Sequence, residues 1–141
     1  MIHRDQLVAI LADAFPEFAI NADHADLPYL VLGDLARFIF ERHQLRDAQI
    51  VRTAVQLIER LHTEGDEYVK EAATIGLLEG IQSVWENAGH NPQEFADLLL
   101  PESRRWWNSL ERFWSAEIPY VGADLTDIAE AYAPPNIDGA Q

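Results

Sequence analysis

Two side chains have the spacing of a metal-binding pair on a helix. Glu59 and His62 are three residues apart, so a carboxylate and an imidazole could hold one ion. A di-iron site in a helical bundle needs this pair twice, with two further inward-facing glutamates, and the sequence has no second pair. We therefore favour another interpretation, in which His62 ends a helix and interacts as an imidazolium with the helix dipole. We expect no metal site, no cofactor and no catalytic residue.

Acidic side chains are the other group that could act on a partner. One group surrounds a predicted turn (Glu64, Asp66, Glu67 and Glu71), and a second group consists of Asp23, Asp26 and Asp34. After Arg112 the chain has five acids and neither lysine nor arginine: Glu117, Asp124, Asp127, Glu130 and Asp138. These acids either cap helices and face solvent or form a surface for a cationic partner. As candidate partner-binding residues we take Glu64, Asp66, Glu67 and Glu71 first, then Asp23 and Asp26.

Two further features allow both a functional and a structural interpretation. Trp106, Trp107 and Trp114 alternate with arginines and could stack a planar ligand, but their helical spacing favours a core face. Because adjacent residues point 100° apart on a helix, one of the first two tryptophans could reach the surface as an interface anchor. Glu79 lies in an otherwise apolar helix, and we expect it to pair with Arg37 or Arg52.

The elements that must position these residues are helices. Apolar residues recur at helical spacing along the chain, and strand-like alternation is nearly absent. The first helix is stopped by Pro16, and Asp26 and Asp47 are expected to cap the second and third. Shorter helices are predicted from Asn91 to about Leu100, from Pro101 through the tryptophans, and from Leu125 to Tyr132. The fold class is all-α, an irregular bundle or short layered array of six to seven helices around a central long helix (about 67–87).

The central helix is predicted to begin after a turn in which Gly65 ends one helix and Asp66 caps the next. Gly76 and Gly80 lack side chains, so another helix is expected to approach the backbone closely there. We predict one all-helical domain over residues 1–135 and a frayed tail over residues 136–141.

Composition narrows the class of protein. The chain has 141 residues, no cysteine and 48% hydrophobic residues, which excludes disulfide scaffolds and thiolate metal sites and is typical of a globular core. Its 24 acidic and 10 basic residues give a formal net charge of −14, which disfavours binding to nucleic acid or to a membrane surface. With no targeting or membrane-spanning segment visible, we expect a soluble cytoplasmic protein.

Two segments resemble a family of small acidic all-helical bacterial proteins of largely unknown function. The segment 72–82 (AATIGLLEGIQ) is similar to that family's central helix, and Leu100-Pro101 through Trp114 is similar to its C-terminal signature. The family usually has Leu-Gly-Pro at the second segment, whereas this chain lacks the glycine. The resemblance extends to about Trp114. Several members look like immunity proteins encoded beside polymorphic secreted toxins, and the resemblance implies that role.

We therefore expect a non-enzymatic immunity protein, active in bacterial competition, that inhibits a cognate toxin domain through its acidic surface. The toxin domain would carry a basic surface, and the inhibitor would be a monomer or homodimer. One alternative is an interaction or regulatory module that binds a host protein or peptide. Another is a small-ligand or metal enzyme built on Glu59, His62 and Glu79.

Overall fold

The computed structural model describes residues 1–125, and these form six helices. They are α1 (Arg4–Ala14), α2 (Pro28–Gln44), α3 (Ala48–Glu64), α4 (67–87), α5 (Gln93–Ala96) and α6 (Pro101–Trp114). Within the described residues there is no β-strand, only an isolated bridge between Ile2 and Gly65. The all-α prediction is confirmed. No helix of this part of the chain has the length and apolar character needed to cross a membrane.

The chain divides into two compact units. The first comprises residues 1–104, and the second begins at Arg105 and is described as far as Leu125. That residues 1–135 form one domain stays a prediction. The tail at 136–141 and all but the first residue of the helix predicted at 125–132 lie outside the described residues.

In the first unit, α2 packs against α4 at the two glycines. A Cβ atom on Gly76 would lie 2.9 Å from Leu32 Cδ1, and one on Gly80 would lie 3.3 Å from Ala36 Cβ. The side-chain-free positions therefore let the two helices approach closely, which confirms the expectation from the sequence. The burial of α4 agrees with a central position, since seven of its apolar residues are fully buried: Val69, Ala72, Ala73, Leu77, Leu78, Ile81 and Trp85.

The middle of α4 is a π-helix, a form that was not predicted from the sequence. Residues Ala72–Leu78 have this form, between α-helical segments Glu67–Glu71 and Glu79–Asn87. Near its start the Thr74 hydroxyl donates to the Lys70 carbonyl at 2.9 Å, the group that the Thr74 N–H would bind in an α-helix. At its end the Glu79 N–H bonds to the Thr74 carbonyl, five residues back.

The helix caps confirm two predictions and correct two. Asp47 accepts a hydrogen bond from Ile50 N–H and Asp66 accepts one from Val69 N–H, as expected. Asp26 does not cap α2: Pro28 takes the first helical position, where its missing N–H costs nothing, so Leu27 becomes the capping residue. The fifth helix is also shorter than predicted and ends at Ala96. After it, Leu98 and Leu99 donate their N–H groups to carbonyls three residues back, and Pro101 then has no N–H with which to continue a helix.

The described part of the second unit contains the tryptophans and one polar cluster. Trp106 and Trp107 are 2% and 1% exposed, so neither is a surface anchor, and Trp114 is the exposed one at 63%. Ser109 donates to Asp124 Oδ1 at 2.7 Å and accepts from the Gly122 N–H, while Arg112 lies 3.3 Å from Asp124 Oδ2. Asp124 therefore has partners inside its own unit.

Candidate functional site

The acids at the turn between α3 and α4 fall into two kinds. Glu64 forms an ion pair with Arg60, with 3.2 Å between Oε1 and Nε. Asp66 accepts from Val69 N–H at 2.9 Å and lies 3.1 Å from His3 Nδ1. The hydrogen bond from Val69 lowers the pKa of Asp66, because it stabilises the carboxylate. Asp66 therefore caps α4, as the capping interpretation expects, and Glu64 pairs with a residue one turn back on α3.

Glu67 and Glu71 are exposed as well, but they lie on the first turns of α4 rather than in the turn between the helices. Glu71 accepts a hydrogen bond from the Tyr29 hydroxyl at 3.2 Å, and the Tyr29 and Tyr68 rings meet edge to face at 6.1 Å. The Arg4 guanidinium lies 4.9 Å above the Tyr68 ring. The first turn of α2 thus meets the start of α4 through two half-buried tyrosines. We call Tyr29, Glu67, Tyr68 and Glu71 the acidic tyrosine face.

The second acidic group divides in the same way. Asp23 and Asp26 are exposed in the turn before α2, and their carboxylates make no hydrogen bond or ion pair with any described residue. Asp34 instead belongs to α2, and its carboxylate contacts the side chains of His24 and Arg37. Asp26 precedes Tyr29 by three residues, and Leu27 and Leu30 beside it are 49% and 46% exposed. No described contact joins Asp23 or Asp26 to the acids of α4.

The Glu59–His62 pair lies in a buried polar network rather than a metal site. Glu59 accepts from the Glu102 and Ser103 N–H groups at 3.1 and 2.9 Å and from the Ser103 hydroxyl at 2.8 Å. The carboxylate therefore caps the start of α6 from across the unit. Burial raises the pKa of Glu59, but the hydrogen bonds from Ser103 and Glu102 outweigh that effect and lower it overall. Among the described residues no three acids or histidines converge as metal ligands.

His62 is the centre of this network, and the prediction of an imidazolium at a helix end is wrong. It is 1% exposed, and burial lowers its pKa to about 4, so the ring is neutral at pH 7. Nδ1 lies 3.0 Å from the Ile58 carbonyl and 3.3 Å from Ser103 Oγ, and Nε2 lies 3.0 Å from Thr74 Oγ1. When Nδ1–H donates to the Ile58 carbonyl, Nε2 is the acceptor of the ring. The Thr74 hydroxyl has a single hydrogen, which it donates either to Nε2 or to the Lys70 carbonyl.

The network has the residue types of a nucleophilic site but not its arrangement. The Ser103 hydroxyl donates to Glu59 rather than to His62, and Ser103 is fully buried. An activated serine must donate to its base and face a cavity that substrate can enter. The network instead joins α3, α4 and the start of α6 inside the first unit. Thr74 and Ser103 were not predicted from the sequence, because their only signal is a small polar residue in an apolar helical stripe.

Glu79 makes no ion pair with any residue in the described part of the chain, so the predicted pairing is wrong. Arg37 bonds to Asp34, its neighbour one turn away on the same helix, and Arg52 bonds weakly to Gln49 Oε1 at 3.5 Å. Glu79 is half-buried at the point where the π-helix of α4 returns to α-helix. Arg37 is therefore paired on its own helix, and Arg52 makes only a weak contact with Gln49 on α3, so neither arginine bonds to Glu79.

Comparison with known proteins identifies the family. The family model of a domain of unknown function, DUF7674, matches residues 8–115. The chain belongs to the DUF7674 family. The matched DUF7674 region contains the acidic tyrosine face and the buried network, together with Asp23 and Asp26. Comparisons with curated proteins and with solved structures give no significant match.

Proposed function

We propose that this DUF7674 protein is a non-enzymatic immunity protein that binds and inhibits a cognate secreted toxin domain through its acidic tyrosine face. The observation that carries the proposal is the contact of exposed Glu71 with Tyr29, whose ring meets that of Tyr68, beside exposed Glu67 on the same first turns of α4. Tyrosine is enriched in the energetically important centres of interfaces, whereas acids are typical of their rims. The resemblance of segments 72–82 and 100–114 to proteins that include immunity proteins suggests the class of partner.

The negative net charge of this chain supports a partner with a positively charged surface. A chain with a net charge of −14 attracts a basic toxin surface at long range, which raises the association rate. The tyrosines would then control dissociation, because desolvated aromatic contacts persist after encounter. The acids of the face are therefore expected to change mainly the association rate constant, and the tyrosines mainly the dissociation rate constant.

The test starts with co-purification from the native host and continues with the partner's toxic domain. That domain should stop growth when expressed alone, and co-expression of this chain should restore growth. The purified pair is then compared for Glu67→Lys with Glu71→Lys, and separately for Tyr68→Ala. The matched control is Glu41→Lys with Glu86→Lys, which changes net charge equally at exposed positions outside the face.

We expect the lysine pair on the face to slow association at low salt by roughly tenfold, well beyond the effect of the control pair. Tyr68→Ala should raise the dissociation rate, with about 2 kcal/mol of binding free energy lost if it is a central contact. Equal effects of the face and control pairs would refute the assigned face but leave inhibition intact. A partner that is not toxic, or that this chain does not neutralise, would instead favour an interaction module for a host protein.

A further inference from the structure

A groove of about 770 Å³ lies in the first unit where α2 ends and α3 begins. Its walls carry two arginines, two histidines and apolar side chains: Arg46, Arg52, His43, His90, Val51 and Leu98. Small-molecule sites in proteins have volumes of roughly 300–1,000 Å³ and combine apolar walls with a few polar groups. The groove therefore has the size and the mixed lining of a ligand site.

The carboxylates in the groove wall already have partners. Asp47 caps α3 through Ile50 N–H and lies 3.1 Å from Arg42 Nη1. Glu94 accepts from the Trp85 indole N–H at 3.2 Å and lies 3.7 Å from His90 Nδ1. The negative charge of Asp47 is thus offset by Arg42, and the Glu94 carboxylate is engaged by Trp85. The other charged side chains of the wall are Arg46 and Arg52.

The groove arginines are unusual for this chain. With 24 acids to 10 basic residues, a guanidinium readily finds a carboxylate, and most described arginines have one (Arg37, Arg42, Arg60, Arg104 and Arg112). Arg46 makes no side-chain hydrogen bond or ion pair within the described residues. Arg52 has only the 3.5 Å contact with Gln49. Two under-used guanidinium groups therefore line one groove of an acidic protein.

The backbone position of Arg46 adds a second argument. Its φ is 60°, and it ends α2 in a Schellman motif, with its N–H bonded to His43 O and the Asp47 N–H bonded to Arg42 O. Glycine is preferred at this position because a Cβ atom is disfavoured in the left-handed region. An arginine there carries a conformational cost for which no described contact compensates.

The imidazoles of the groove are held in place by aromatic contacts. The His43 ring lies 5.4 Å from Trp85 at a steep angle, and the His90 ring lies 5.5 Å from Phe40. Such packing fixes ring orientation before any ligand arrives, which lowers the entropy lost on binding.

We propose that this groove binds a small organic acid, with its carboxylate on Arg46 and Arg52 and its compact apolar body on Val51, Val55 and Leu98. Arginine binds carboxylates through two parallel hydrogen bonds, and the valines and leucine offer apolar surface beside it. This site is separate from the acidic tyrosine face, so it neither requires nor excludes the proposed toxin inhibition.

The test is a titration of isotope-labelled full-length protein with 3-phenylpropionate, followed by NMR of the backbone amides and the histidine rings. The uncharged probe is 3-phenylpropanamide, which has the same shape. The variant pair Arg46→Gln with Arg52→Gln removes both guanidinium groups. The control is Arg60→Gln, which removes one from α3 outside the groove.

We expect saturable shifts confined to the groove, with His43 and His90 among the signals that move. Binding should weaken by roughly fivefold or more in the double variant, which retains the parent spectrum elsewhere, and should be unchanged in the control. The proposal is overturned if phenylpropionate gives no saturable shift at millimolar concentration, if the amide binds equally well, or if Arg60→Gln weakens binding as much as the double variant.

Discussion

Replacing His62 with glutamine should remove much of the acid sensitivity of this fold. The pKa of His62 falls from 6.5 to about 4 on folding, chiefly because burial disfavours the imidazolium. Between those two values the unfolded chain binds a proton that the folded chain does not bind. The free energy of unfolding therefore falls as the pH falls through this window. From pH 7 to pH 5 the loss amounts to about 2 kcal/mol, and it approaches 3 kcal/mol near pH 4.

The assay is urea unfolding at a series of pH values, with the unfolding free energy of each variant plotted against pH. Glutamine at position 62 keeps a polar atom near Thr74 but has no proton to gain, so its curve should be flatter by about 2 kcal/mol between pH 7 and pH 5. The control is His43→Gln, which removes a half-buried imidazole outside the network and so shows whether the flattening is specific to position 62. A His62→Gln curve parallel to the parent curve would refute the reasoning.

Three further changes test the local structure by chemical unfolding. Glu59→Ala should cost about 1–2 kcal/mol of stability, because α6 loses the carboxylate that binds its first N–H groups, whereas Glu59→Gln should recover part of that loss. Gly65→Ala should cost about 2 kcal/mol or more of stability, since the new Cβ would lie 2.4 Å from the Leu61 carbonyl oxygen. Its control is Gly33→Ala, where a Cβ meets no atom within 4 Å, and this change should be neutral or stabilise the fold by up to about 1 kcal/mol. Arg46→Gly should stabilise by about 1 kcal/mol, because glycine suits a φ of 60°, and a loss of stability would mean that the side chain has a structural partner.

Features that depend on local sequence were predictable. Asp47 and Asp66 cap helices because a cap needs only a side chain and an N–H three residues later. The glycines of α4 were recognisable because a helix with a side-chain-free stripe has room for a neighbour. The predicted N-cap at Asp26 was wrong by one residue, because the pattern did not indicate whether Pro28 would occupy the first or the second position of the helix.

The buried network was not predictable, because its members are far apart in sequence. Thr74 is 12 residues and Ser103 is 41 residues from His62, and neither has a spacing that marks a partnership. Near a predicted turn, His62 resembles an exposed residue that meets the dipole of its own helix. Only tertiary packing shows that α4 and α6 cover it and that burial lowers its pKa. The π-helix escaped prediction for a related reason, since the Thr74 hydroxyl contacts both its own helix and His62.

The structure also changes how the candidate acids should be tested. The sequence ranks Glu64, Asp66, Glu67 and Glu71 together by charge, but Asp66 caps α4 and Glu64 pairs with Arg60. A lysine at Asp66 would cost about 1 kcal/mol of folding stability before any partner is present, so weaker binding would not identify an interface. Glu67 and Glu71 are exposed on the first turns of α4, and reversing their charge leaves the Asp66 carboxylate that caps the helix in place. A loss of association rate without a loss of stability at these positions is therefore the result that distinguishes a binding face from a set of well-capped helices.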